Sequence, residues 1–345
     1  MRRNFEIGGE SVSPGRRRTI DIPISQLSIH VPIQLSAHVI HGTRSGKTMF
    51  VSAAIHGDEI IGVEIIRRIL KLPVINRVRG TLVLVPIVNA YGFLSHSRYL
   101  PDRRDLNRSF PGSNRGSLAA QLAEAFMREI VKPADLGIDL HSAAIHRENL
   151  PQVRISPNVP ELYNLAKAFA PPVILPADIR PGSMRDAARE VGTDILLYEA
   201  GEALRFDEAS IRIGVSGVLR VMREIGMLAV SSVKESRVKP VESETSAWLR
   251  APEGGVLRAY KKCGDKVKIG DVVGIIANPF GERETEVLAK YPGLIIGRTQ
   301  LPVVNRGDGL FHIAKIGKSG SVTKSLEHAD REWEADPQFD EDQIY

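Results

Sequence analysis

The chain has little cysteine, no long apolar run and no strong charge of one sign. Cys263 is the single cysteine among 345 residues, which excludes an intramolecular disulfide and a cysteine-rich zinc site and agrees with a reducing compartment. Charge interrupts every apolar stretch well before the ~20 residues that a membrane span needs. Residues 1–20 carry Arg2 and Arg3, then polar residues in place of an apolar segment. No signal peptide is expected, and the cytoplasm is the default location. Lys plus Arg number 46 against 41 Asp plus Glu, a net charge of +5. The surplus is uneven: Arg16-Arg-Arg18 and the surroundings of Arg104 are basic, and residues 327–345 are acidic. This pattern suits a local anion site and an acidic tail, and neither a nucleic-acid stripe nor a membrane partner.

What is present is ordinary for a globular protein, with 43% hydrophobic and 25% charged residues. The length exceeds what one core usually fills, so one large and one smaller domain are expected. Residues 1–44 form an N-terminal β segment, with strand-like alternation near Ile29 to Ile40. From 45 to 235, short apolar runs such as residues 81–88 alternate with helical patterns, the signature of an α/β domain. Ile60, Ile61, Val63, Ile65, Ile66 and Leu70 mark one helix, and Leu118, Leu122, Phe126 and Ile130 mark another with Ser117 as its N-cap. The fold class expected is α/β, with a mixed, mainly parallel sheet flanked by helices. Residues 231–246, rich in Ser, Lys and Glu, read as a linker. From 247 to 320, glycines punctuate β-branched runs, so a smaller barrel-like β-rich domain is expected there.

The chemistry is concentrated at the ends of apolar runs. Residues 49–55 are followed by His56-Gly-Asp-Glu59, and a second run ends in Asp139-Leu-His141. Imidazole nitrogen and carboxylate oxygen suit zinc, and a catalytic zinc takes three protein ligands and leaves one position open. His56, Glu59 and His141 are the candidate ligands. Taken singly, a histidine after an apolar run is an ordinary strand-end residue, so the reading depends on several pieces agreeing. One such piece is the proline-braced loop 97–112, which gathers Arg98, Arg103, Arg104, Asn107 and Arg108 and suits a carboxylate or a developing oxyanion. Another is the run Asp194-Ile-Leu-Leu-Tyr-Glu199, whose terminal carboxylate is a candidate general base, with Glu202 as its rival. Asp139 shares a strand face with His141 and is a candidate support for it. Asp58 is a candidate partner behind a ligand histidine. His96 and His146 read as surface residues, and Arg180, Arg185 and Arg205 are further arginines near the site segments.

In combination, His56-Gly-Asp-Glu59, Ser97-Arg-Tyr99, Asp105-Leu-Asn-Arg108, Asp139-Leu-His141 and Glu199-Ala-Gly201 resemble the succinylglutamate desuccinylase and aspartoacylase family, relatives of the zinc carboxypeptidases. The resemblance implies a zinc carboxypeptidase-like fold for residues 45–235 and one zinc on His56, Glu59 and His141. It also implies Glu199 as general base and then acid, Arg98 as the group that polarises the scissile carbonyl, and Asn107 with Arg108 as the grip on a substrate carboxylate. The implied reaction is hydrolysis of the amide bond of an N-acyl amino acid or a similar small carboxylate. The alternatives are a zinc carboxypeptidase acting on short peptides and a metal-binding module without catalysis. The C-terminal segment resembles the biotinyl and lipoyl carrier fold, yet its hairpin stretch Ala277-Asn-Pro-Phe-Gly-Glu282 has no lysine to modify. A buttress for the active-site rim or a homo-oligomer contact is the expected role.

Overall fold

The structure is a computed structural model that describes residues 2–26, 29–236 and 239–316. The acidic tail expected from 327, and the end of the β-rich segment from 317, lie outside the described residues. Four strands come first: β1 (Phe5–Ile7), β2 (Glu10–Val12), β3 (Arg16–Gln26) and β4 (Pro32–His41). Then follow β5 (Thr48–Ala53), α1 (Ile61–Lys71), β6 (Thr81–Val85), α2 (Ala90–Leu94), α3 (Leu118–Phe126), β7 (Leu136–Ala143) and β8 (Arg147–Ile155). After these come α4 (Pro160–Phe169), β9 (Val173–Pro176), α5 (Met184–Glu190), β10 (Asp194–Glu202) and α6 (Glu208–Glu224). The later strands are β11 (Val241–Arg250), β12 (Gly255–Ala259), β13 (Lys266–Val267) and β14 (Val272–Ala277). The last four are β15 (Glu284–Leu288), β16 (Gly293–Thr299), β17 (Val303–Val304) and β18 (Gly309–Ile316).

Both expected helices form for the reasons their sequences give. In α1 the residues Ile61, Ile65, Ile66 and Ile69 recur at helical spacing and are fully buried. In α3 the Ser117 hydroxyl accepts from the Ala120 N–H at 3.3 Å, satisfying one of the free donors of the first turn. The helix runs on through a π turn at Met127–Val131, which keeps Ile130 inside the core. Isoleucine and leucine side chains from α1, α4 and α6 cover one face of the sheet. Apolar side chains of α3 and α5, with Ile7 of β1 and Val12 of β2, pack in a second cluster with Phe50 and Val83 of the sheet.

Twelve strands make one sheet in the order β13-β16-β18-β11-β9-β8-β10-β7-β5-β6-β4-β3. The expectation of a mainly parallel sheet is corrected for the sheet as a whole. The pairings β5–β6, β5–β7, β7–β10, β8–β9 and β9–β11 are parallel, and the other seven are antiparallel. The physical reason is connection length. Residues 144–146 alone separate β7 from β8, too few for the crossover that a parallel return requires, so β8 runs back and pairs antiparallel with β10.

The sheet also closes on itself at one end. β16 pairs with β8 as well as with β18, so β8, β9, β11, β18 and β16 form a closed five-stranded ring. β11 begins inside the stretch expected as a linker and pairs in parallel with β9. A separate four-stranded sheet, β15-β14-β12-β17, carries the hairpin tip near Asn278. Among the described residues, no helix is long and apolar enough to cross a membrane.

Candidate active site

The site grows from the carboxyl ends of the central parallel strands. β5 and β7 pair in register, Ala53 opposite Leu140, so both deliver their next residues to the same edge. The chain leaves β5 through Ala54 and turns at once, with the Glu59 N–H donating to the His56 carbonyl at 3.1 Å. At Gly57 a Cβ would fall 1.9 Å from the Gly92 carbonyl carbon. The loop is therefore pressed against α2, and any side chain there would force the loop and α2 apart.

Glu59 lies between the two histidines. Its Oε1 is 2.6 Å from His56 Nδ1 and its Oε2 is 2.7 Å from His141 Nδ1. Candidate ligand atoms of His56, Glu59 and His141 all fall within 4.8 Å of one another, and all three residues are buried. The outer ring nitrogens also face carboxylates. His141 Nε2 is 2.6 Å from Asp139 Oδ2. His56 Nε2 is 3.3 Å from Asp105 Oδ1, out of line for a hydrogen bond, so this buried nitrogen has no hydrogen-bond partner.

These residues fit a divalent ion. A neutral imidazole has one N–H, so it cannot donate to carboxylates on both sides. A cation held by His56, Glu59 and His141 would resolve that conflict, and Asp139 and Asp105 would then orient the rings from behind, as acids do at metal-ligating histidines. Two nitrogens and one carboxylate form a donor set that zinc accepts.

The electrostatics are strongly coupled. Burial opposes the charge on Glu59, but His56 and His141 outweigh it and hold the carboxyl well below its usual range. Burial likewise opposes a proton on His141, and Asp139 and Glu59 overcome it, raising the ring well above an ordinary imidazole. For Asp105, burial is overcome by His56 and then Arg98, which lower its carboxyl. Asp58 moves the other way, raised by burial and by Glu59. Its Oδ1 is buried without a partner, and the ring contacts come from Asp105 and Asp139 in its place.

Glu199 on β10 is the register partner of His141 on β7. Its Oε1 accepts from Asn149 Nδ2 at 2.6 Å, and its Oε2 pairs with Arg154 Nη1 at 3.0 Å. Arg98 bridges two acids, with Nη2 3.0 Å from Asp105 Oδ2 and Nη1 3.3 Å from Glu59 Oε1. Asn107 Oδ1 accepts from the Met184 N–H at 2.9 Å, which ties the arginine loop to the start of α5.

Seven of the candidate site residues line one cavity of about 870 Å³: His56, Glu59, Arg98, Asn107, Arg108, His141 and Glu199. Arg180 and Arg185 line it too; Glu202, His96, His146, Arg103, Arg104 and Arg205 do not. Glu202 accepts instead from the His146 N–H at 3.0 Å. A second hollow of about 450 Å³ beside Arg16, Arg44 and Arg77 shares no lining residue with it.

Several cavity residues escaped the sequence reading. Asn149 and Arg154 sit on β8, and Trp248 and His312 come from β11 and β18 of the closed ring. The Trp248 and His312 rings stack at 4.9 Å and 6°. Burial and then Arg154 push His312 down to about 3, so its ring is neutral. Arg185 has a buried Nη1 without a partner, and burial and then Arg154 lower its pKa.

Comparison with known proteins agrees with this arrangement. A family model described as the succinylglutamate desuccinylase/aspartoacylase catalytic domain matches residues 45–225. The chain is 25% identical over 286 residues to an N-alpha-acetyl-L-2,4-diaminobutyric acid deacetylase from Halomonas elongata, covering 79% of this chain and 84% of the relative. Its fold is similar to the crystal structure of a succinylglutamate desuccinylase/aspartoacylase from Rhodobacter sphaeroides, with a TM-score of 0.78 and 22% identity over 87% of this chain and 96% of the other. A product-bound ectoine utilization protein from Ruegeria pomeroyi also gives a TM-score of 0.78, at 23% identity, covering 86% and 95% of the two chains.

Proposed function

This chain belongs to the succinylglutamate desuccinylase/aspartoacylase family and is an amide-bond hydrolase; we propose that it deacylates a small N-acyl amino acid with one zinc ion. The observation that carries the proposal is the buried cluster of His56, Glu59 and His141, set beside Glu199 in a cavity rich in arginine. When bound, a zinc ion supplies a Lewis acid and lowers the pKa of a water to about 7.

The chain's own groups supply the rest. In this reading Glu199 takes the proton of the attacking water and returns it to the leaving nitrogen, a role worth typically ~10²- to 10⁴-fold in rate. Arg98, held between Asp105 and Glu59, presents positive charge where the carbonyl oxygen becomes negative. Asn107 and Arg108, which line the same cavity, bind the substrate carboxylate in this reading, as the resemblance implies. Arg185 supports an anionic substrate independently, because its unpaired nitrogen gains a charge-assisted bond when a carboxylate enters.

The Halomonas elongata relative is named for removal of an acetyl group from a diamino acid. N-acetyl and N-succinyl amino acids are therefore the first substrates to assay, beside the corresponding amides that lack a carboxylate. Zinc-dependent hydrolysis of at least one acid, with the carboxylate-free amides inert, supports the proposal. Equal turnover of acids and carboxylate-free amides would remove the anion grip from it.

A further inference from the structure

Glu199 sits where its strand is irregular. On the β8 side the β10 ladder slips between Glu199 and Gly201, and Gly201 has a φ of 70°. A regular pleat therefore does not fix the direction of this carboxylate, and something else must. We infer that Asn149 and Arg154 are positioning residues for Glu199, and that the ring-closing strand β16 sets Asn149 through Gly297. The inference rests on the reading of Glu199 as proton carrier.

The two β8 residues hold different oxygens of one carboxylate, Asn149 on Oε1 at 2.6 Å and Arg154 on Oε2 at 3.0 Å. Two donors on two oxygens stop the group rotating, and bonds to a charged acceptor are the stronger kind. Asn149 is 7% exposed, so water competes little for its amide.

Asn149 is fixed from the other side by a glycine. Gly297 is its register partner across β8 and β16. A Cβ on Gly297 would lie 2.5 Å from Asn149 Oδ1 and 3.3 Å from His312 Cβ. The carboxamide oxygen thus lies over the bare glycine, while the amide nitrogen reaches Glu199. Beside this point Arg298 Nε and Gln300 Nε2 both reach Glu148 Oε2, at 3.3 and 2.7 Å, clamping β16 to β8. The closed ring thereby acts on the reaction through the packing of Asn149 on Gly297 and the hydrogen bond from Asn149 to Glu199, and β16 lies beyond the matched residues 45–225.

The test is steady-state kinetics on the zinc-loaded full chain, with the best N-acyl amino acid from the panel and with zinc content and circular dichroism recorded for each variant. Asn149→Ala and Arg154→Met should each lower kcat by about 10- to 100-fold, the usual cost of a misplaced catalytic group. KM and zinc content should stay put, and Arg154→Lys should recover most of the lost kcat. Gly297→Ala should lower kcat as well, and combining it with Asn149→Ala should add nothing, because both act on one contact. Parent-like kcat in Asn149→Ala and Arg154→Met, with Glu199→Gln inactive, would overturn the inference and leave the proton-carrier reading standing. An active Glu199→Gln would instead remove that reading. Additive losses in the double variant would cut β16 out of this chain of contacts. If Gly297→Ala does not fold, Asn149→Ala and the Arg154 pair still decide whether Glu199 is positioned from β8.

Discussion

Glu199 and His141 are register partners on neighbouring parallel strands, β10 and β7. Such strands lie about 4.8 Å apart, so the proposed proton carrier and a proposed ligand rise from adjacent main-chain positions. β5 pairs with β7 on the other side and delivers His56 and Glu59 to the same edge. The reacting groups thus stand on, or directly after, central strands of the sheet, which suits chemistry that tolerates little displacement.

The first prediction concerns Glu199. Glu199→Gln keeps the shape and the Arg154 side of the pocket but cannot carry the proton, so kcat should fall at least about 100-fold. Zinc content should be unchanged, because Glu199 is outside the ligand cluster. Steady-state kinetics with metal analysis reads both.

The second concerns the acids behind the rings. Asp139 and Asp105 face the outer nitrogens of His141 and His56. Asp139→Asn and Asp105→Asn should each weaken zinc binding by about 10- to 100-fold, measured by competition with a chelating dye. Retained affinity in both would mean that the rings are oriented by packing alone.

The third separates the arginines. Arg98→Ala should lower kcat by about 10²- to 10³-fold, as the loss of an oxyanion donor does. Arg185→Met should act mainly on KM, since its role is to bind an anion that does not change during the reaction. A kcat effect at Arg185 with KM unchanged would reverse that assignment.

The fourth concerns stability. Buried Arg68 pairs with Glu64 at 2.7 Å and with Glu208 at 2.6 Å, joining α1 to α6. Burial opposes the charge on Glu64, but Arg67 and Arg68 outweigh it and lower its pKa. Glu208 is lowered first by its bond to Arg68. Carboxyls depressed in the folded state contribute stability above about pH 4.3, and lose it as pH falls through their folded values. Arg68→Met should therefore cost about 1 kcal/mol at neutral pH, since Glu64 keeps Arg67 and the partly exposed Glu208 keeps Arg212, and distinctly less at pH 3, compared by thermal melting.

That His56, Glu59 and His141 come together was legible in the sequence because they follow apolar runs, and these runs become central strands whose ends share one edge. The Ser117 cap and the isoleucine stripe of α1 were legible for the same local reasons. What escaped depends on contacts between distant residues. Asp105 reaches His56 because loop 97–112 folds back over β5, which loop composition does not specify. Asn149 and Arg154 lie in a strand whose polar residues look like any other, and their partner Glu199 is about fifty residues away. Closure of the ring depends on β16 meeting β8 nearly 150 residues earlier, so neither the Trp248 and His312 wall nor the antiparallel share of the sheet could be read from run patterns alone.

The central claim, a single ion shared by His56, Glu59 and His141, is tested most directly by elemental analysis of protein purified without added metal, with His141→Ala prepared alongside. The account predicts about one zinc per chain in the parent and almost none in a folded His141→Ala. A parent free of zinc that cannot be loaded, or a His141→Ala that holds the ion as tightly, would contradict it.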